Sequence, residues 1–182
     1  SCEQAQKEVE LAGRRIGLLH LAFAETLVEE LGEEEGKRLV LESIKNYGTK
    51  VGEKVRSDLK KEGLKPEPED FGKGPSRSLP RFGISEKTEG VKIDGEERTR
   101  VHGCVMGNVW KEYGKEELGQ LYCYVDAAKY MGFDPCYKMI HTKHEPSGDD
   151  FCEFAVRETT EKDRENFYSG EGDFSRVDEK LD

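Results

Sequence analysis

Cys136-Tyr137-Lys138-Met139-Ile140-His141-Thr142-Lys143-His144, then Pro146-Ser147-Gly148-Asp149, then Phe151-Cys152-Glu153-Phe154-Ala155-Val156-Arg157-Glu158 is the stretch that decides the fold. The first run alternates and reads as a strand. The Pro-Ser-Gly-Asp cluster is a turn, and the second run is the returning strand. Working outward, residues 90–94 and 98–106 read as a second hairpin around the turn signal Asp94-Gly95. Residues 108–113 are expected to form a short helix. Between the hairpins, residues 116–131 predict one helix with Leu118, Leu121, Tyr122, Val125 and Ala128 on its apolar face and Gly132 as its cap.

The N-terminal third is helical. Val9, Ala12, Ile16, Leu19, Phe23, Leu27 and Leu31 recur at helical spacing, and Gly32 ends the run. Val40, Ile44, Tyr47, Val51, Val55 and Leu59 mark a second helix over residues 33–61, antiparallel to the first. Gly48 and Gly52 interrupt it at ~1 kcal/mol each relative to Ala, for close packing against the first helix or for a kink. Residues 63–80, with Pro66, Pro68, Pro75 and Pro80, cannot continue a helix and read as a connection, either a plain linker or a lid over a pocket. The expected fold is α+β: an N-terminal helical hairpin (1–62) packed on an antiparallel sheet of about four strands with one inserted helix (81–168). Residues 169–182 read as a frayed acidic tail outside this single domain of residues 1–168.

The chain has 182 residues, of which 34% are hydrophobic and 37% charged, enough for one core. A net charge of −10 argues against nucleic acid and against anionic membranes, since both select basic surfaces. No apolar run reaches the ~20 residues of a membrane span. The start Ser1-Cys2-Glu3-Gln4 lacks the pattern of a signal peptide. Five cysteines at irregular spacing then point to reduced thiols and a cytoplasmic location.

Cys123 and Asp126, three apart on the predicted helix, share a face. A carboxylate alone raises a thiol's pKa, so the pair requires a third partner: a histidine, an arginine or a metal. The plain alternative is a buried thiol beside a solvated carboxylate. Cys104, Cys123, Cys136 and Cys152 fall on four elements, and with His102 or His141 they have the chemistry of a zinc site, although no C-x-x-C or H-x-x-x-H pair supports one. His141 and His144 are three apart on a strand and are expected to face opposite sides, so not to share one ion. His102 and His141 are candidate general bases; His20, beside the first helical stripe, is expected to be structural. Asp149 belongs to the turn and can cap backbone there. Phe151 and Phe154 cannot both face inward in a regular strand.

Leu121-Tyr122-Cys123-Tyr124-Val125-Asp126, Met131-Gly132-Phe133-Asp134-Pro135 and Gly148-Asp149-Asp150-Phe151-Cys152-Glu153-Phe154 resemble, in order and spacing, the L-2-amino-thiazoline-4-carboxylic acid hydrolase family. The likeness is best over residues 101–156, and Asp134 stands where an Asn is expected. That family is named for bacterial enzymes that open a cyclic thiazoline on the way to L-cysteine. The resemblance implies hydrolysis of a C–N bond in a small cyclic amidine-like substrate, with Cys123 and Asp126 at the core and Cys104, Asp149 and Cys152 near. In this enzyme reading Cys123, Asp126 and His102 are catalytic, and Tyr122, Asp149 and His141 bind substrate. The last strand also resembles vinyl-reductase-type ligand-binding domains, some of which hold zinc through cysteines and a carboxylate. The alternative function is therefore a non-catalytic small-molecule or metal-binding domain in which Cys104, Cys123 and Cys152 hold zinc or another metal. The expected partner is a small molecule; a homo-oligomer, or an accessory subunit contacting through its acidic tail, is the further partner expectation.

Overall fold

The computed structural model describes residues 1–77 and 83–181. Two long helices, α1 (Cys2–Leu31) and α2 (Glu33–Lys61), precede two β-hairpins. The strands are β1 (Ser85–Ile93), β2 (Glu96–Cys104), β3 (Tyr137–Lys143) and β4 (Cys152–Glu158). They form one antiparallel sheet in the order β1-β2-β4-β3. The α+β class and the hairpin–helix–hairpin order agree with the sequence expectation. No helix among the described residues is long and apolar enough to cross a membrane.

The first helical stripe does not turn to the core. Gly13, Gly17, His20, Leu21 and Ala24 are the buried residues of α1, whereas Leu19 and Phe23 are 60% and 65% exposed. The reason is the glycine edge. A Cβ on Gly17 would stand 3.2 Å from Met106 Cα, so its absence lets α1 settle onto α3 (Val105–Glu112). Trp110 Nε1 then donates to the Gly17 carbonyl at 3.2 Å. His20 is structural as expected, buried between Trp110 and Tyr122. Ile16, Leu19, Phe23 and Leu27 instead line an open groove of about 510 Å³ between α1 and α2.

Gly48 and Gly52 permit close packing, but the partner is α5 (Val125–Phe133), not α1. A Cβ on Gly48 would lie 2.5 Å from Ala128 Cβ, one on Gly132 would lie 2.6 Å from Thr49 O, and one on Gly52 would overlap the Lys129 carbonyl. Three glycines thus bring two helix backbones into contact, which sets the position of the α5 N-terminus. The single helix expected over 116–131 is broken. A short α4 (Glu116–Gly119) passes into a 3-10 turn, Gln120–Tyr124, before α5 begins. Gly119 sits against the Trp110 ring, where a Cβ would overlap it, and the chain tightens there.

The connection after α2 is pinned where it is described. Phe71 is buried, stacking on Tyr130 at 4.6 Å between ring centres and meeting Phe133 edge-on. Ser76 donates to Asp58. Residues 78–80 of the connection lie outside the described residues. The C-terminal segment departs most from expectation. Helix α6 (Glu161–Tyr168) starts with a Thr160–Asp163 capping box. Beyond it, Phe174, Val177 and Leu181 are buried in one cluster with Tyr124, Val125 and Met131. Residues 169–181 are therefore part of the folded unit and not a frayed tail, because three apolar side chains at spacings of three and four anchor a polar stretch.

Candidate active site

Strand β4 places Cys152 and Phe154 toward the helices and Glu153 toward the other face, as alternation requires. On β3 the alternation fails. His141 pairs with Phe154 and Lys143 with Glu153, so two steps along β3 match one step along β4. Thr142 is the extra residue of a bulge. That insertion re-aims the residues after it: the His141 and His144 rings meet edge-on with centres 5.0 Å apart. The expectation that the two histidines face apart is thereby corrected.

Both imidazoles are buried, His141 at 3% and His144 at 0% exposure. Asp178 Oδ2 accepts from the His141 backbone N–H at 2.9 Å and from Nδ1 at 2.7 Å. An ionised carboxylate only accepts, so Nδ1 is the donor of this bond and Nε2 is the ring's remaining position. Nε2 stands 3.9 Å from Asp126 Oδ2. The other Asp126 oxygen is ion-paired with Lys129. His144 Nδ1 is 2.7 Å from Ser147 Oγ, while its Nε2 is buried with no hydrogen-bond partner among the described residues, as is Glu145 Oε2. Cys123, partly buried in the 3-10 turn, closes the group. Its sulfur and one nitrogen of each histidine all lie within 4.8 Å of one another.

The field around this group is acidic. Burial pushes the Cys123 thiol well above its usual range, and Cys104, Cys152, Asp126 and Asp178 add to the shift. Burial likewise pushes Cys152 up to about 12, although the Glu145 N–H donates to its sulfur at 3.3 Å. Cys104, at the N-terminus of α3, is raised by burial and partly relieved by the Gly107 and Met106 amides. Burial, then His141 and Lys180, push His144 down to about 3, so this ring is neutral. The three thiols thus hold their protons, and His144 is the neutral ring beside them.

Of the residues singled out from sequence, Cys123, Asp126 and His141 come together, with Cys104 and Cys152 as close electrostatic neighbours. His102 does not join them. It alternates with Arg98 and Arg100 onto the opposite sheet face, meeting Glu89 at 3.2 Å and the Phe151 ring. Asp149 accepts from the His144 backbone N–H at 2.7 Å and pairs with Lys180 at 2.9 Å, so it fixes the turn that carries His144. Tyr122 looks into the α1/α2 groove beside His20. Cys136 is exposed. Sequence reasoning missed His144 as a site residue, and nothing local signals the bulge that recruits it. It also missed Asp178, for which the spacing of Phe174, Val177 and Leu181 was an available sign of order.

A protein-family model described as L-2-amino-thiazoline-4-carboxylic acid hydrolase matches residues 14–156. The match spans Cys104, Cys123, Asp126, His141, His144 and Cys152; Asp178 lies beyond it. No curated protein and no solved structure matches the chain.

Proposed function

The chain belongs to the L-2-amino-thiazoline-4-carboxylic acid hydrolase family, and from that premise we propose that it hydrolyses a C–N bond, other than a peptide bond, in a small cyclic amidine-like substrate of the thiazoline class. The observation that carries this reading is the convergence of Cys123, Asp126 and His141, with Asp178 behind the imidazole. A protonated amidine is a flat cation with N–H groups on adjacent nitrogens. Asp126, whose Oδ2 stands 3.9 Å from His141 Nε2, is the group that accepts those N–H bonds.

Water adds to the ring carbon of the C=N bond. One of its protons passes to the ring nitrogen; as the ring C–N bond breaks, the added oxygen becomes a carbonyl and its remaining proton goes to the departing nitrogen, which leaves a free amine on the opened chain. His141 activates the water through its Nε2 lone pair, and Asp178 holds the ring in that tautomer. The test is ring opening by the purified chain, monitored by loss of the thiazoline chromophore and by mass. Asp126→Asn is expected to raise KM and lower kcat, and His141→Gln to lower kcat. Absence of ring opening across a panel of 2-amino-thiazoline and related amidine carboxylates would reject the reading.

A further inference from the structure

We propose that Cys123 Sγ, His141 Nε2 and His144 Nε2 form a three-ligand site for a zinc-class divalent cation whose fourth position faces Asp126. The inference rests on the hydrolase reading of the same cluster and deepens it: with the His141 Nε2 lone pair given to the ion, the ion takes over the water activation assigned above to the imidazole.

Three independent features support it. First, the Cys123 sulfur and one nitrogen of each ring already stand within 4.8 Å of one another. Ligands bound at ~2.0–2.3 Å in a tetrahedral shell are roughly 3.5 Å apart, so a small inward rotation of side chains closes the shell. Second, each imidazole has its far nitrogen engaged, His141 Nδ1 by Asp178 and His144 Nδ1 by Ser147, both at 2.7 Å. Outer partners of this kind orient metal-binding histidines and aim the remaining lone pair at the ion. Third, His144 Nε2 is a fully buried polar atom that no described protein group satisfies. A buried polar atom left bare is destabilising, so a partner of the right chemistry is called for.

A cation is that partner. Cys104, Cys152, Asp126, Asp178 and Glu145 surround the position, and the nearby lysines are each paired with a carboxylate, Lys129 with Asp126 Oδ1 and Lys180 with Asp149. One thiolate and two neutral imidazoles suit zinc and its borderline relatives over magnesium or calcium, which select all-oxygen shells. Three protein ligands with an open fourth position is the arrangement of a catalytic site; a structural site would close the shell with a fourth side chain. The ligand set differs from the three-cysteine core expected from sequence: Cys104 and Cys152 line the site and do not complete it.

The experiment uses the full chain, stripped by chelator and titrated with Zn²⁺ or Co²⁺ alone. One equivalent of metal is expected. Co²⁺ should give a sulfur-to-cobalt charge-transfer band with the intense visible absorption of four-coordinate cobalt. Cys123→Ser should abolish the charge-transfer band. His144→Ala should weaken binding at least ten-fold, and Asp178→Asn, acting through His141, by about 10–100-fold. Cys104→Ser, Cys152→Ser and Cys136→Ser should keep the stoichiometry. Circular dichroism of each stripped variant checks folding. Should His144→Ala not fold, the wild-type Co²⁺ spectrum still decides, since a spectrum with no sulfur band overturns the proposal. Loss of metal with Cys104→Ser or Cys152→Ser but not with Cys123→Ser also overturns it. Full ring opening by metal-free protein sinks the metal site and leaves the hydrolase reading. Stoichiometric metal with no ring opening of any thiazoline sinks the hydrolase reading and leaves the metal site.

Discussion

Glu153 and His144 are both fully buried polar side chains at the same end of one sheet, and they are treated in opposite ways. Glu153 receives Arg98 and Arg100, each at 2.8 Å, and Thr142 Oγ1 at 2.7 Å. Burial alone would raise its pKa, but these donors outweigh that effect and hold it at about 2. Every lone pair that matters is occupied, and the cluster is closed. On the other face His144 Nε2 and Glu145 Oε2 have no hydrogen-bond partner among the described residues, amid thiols and carboxylates. A protein tolerates a closed buried network for stability or specificity. An open one costs stability and is retained where a ligand completes it. The same bulge at Thr142 serves both faces: its hydroxyl goes to Glu153, and its extra residue brings His144 to His141.

The sharpest break of this comparison is a double readout at the open cluster. His144→Leu should lower ring opening by about 100-fold or more, while the melting temperature of the metal-free protein stays level or rises, because an unsatisfied polar atom has been replaced by an apolar one. A large fall in melting temperature with ring opening intact would make His144 a structural residue. The platform beneath the site comes next. Gly52→Ala drives a methyl into the Lys129 carbonyl and the Phe133 amide. It should destabilise by about 3 kcal/mol in a urea titration and, by shifting α5, reduce activity in the surviving fold.

Glu153→Gln should destabilise by about 2–3 kcal/mol and leave metal binding and ring opening within a few-fold, the reverse of the His144 variant. Its pH dependence has a definite sign. The folded carboxyl titrates near 2 instead of the usual 4.5. Its contribution is therefore complete above the unfolded value and is lost as pH falls from about 5 toward 2, on the order of 3 kcal/mol in all. The Glu153→Gln protein should show a shallower loss of stability over that window in acid-denaturation curves. An unchanged slope would mean that the arginines do not hold the carboxyl down. The smallest effect belongs to His102→Ala, on the closed face: less than about 0.5 kcal/mol, with activity within two-fold. A large activity loss there would return His102 to the catalytic role that its sequence position suggests.

Much of the fold is readable in the chain. Alternation marks the strands, Asp94-Gly95 and Pro146-Ser147-Gly148-Asp149 mark their turns, and Gly32 marks the end of α1, whereas Gly132, expected to cap the inserted helix, lies inside α5, which ends at Phe133. The site is readable in part. Cys123 and Asp126 stand out because they are three apart and because the residues around them resemble a family. His141 is a candidate by residue type, and it rises above the other histidines only once Asp178 lies behind it. The stripe of α1 misleads, since an apolar period shows that a helix has two faces but not which one meets the core. Gly13 and Gly17 decide that by allowing closer approach than any larger side chain.

By itself, then, the sequence determined the element order, the α+β class and the segment in which Cys123 and Asp126 fall, because periodicity and turn chemistry are local properties of the chain. The tertiary structure alone decided which partners those two residues meet. One inserted residue at Thr142 turned His144 inward, three glycines set the α2–α5 contact that positions the 3-10 turn, and Phe174, Val177 and Leu181 carried Asp178 to His141 across 37 positions of sequence. Each is a matter of long-range packing, where a single bulge or a missing Cβ moves a side chain by more than the few ångströms that separate a site from its absence.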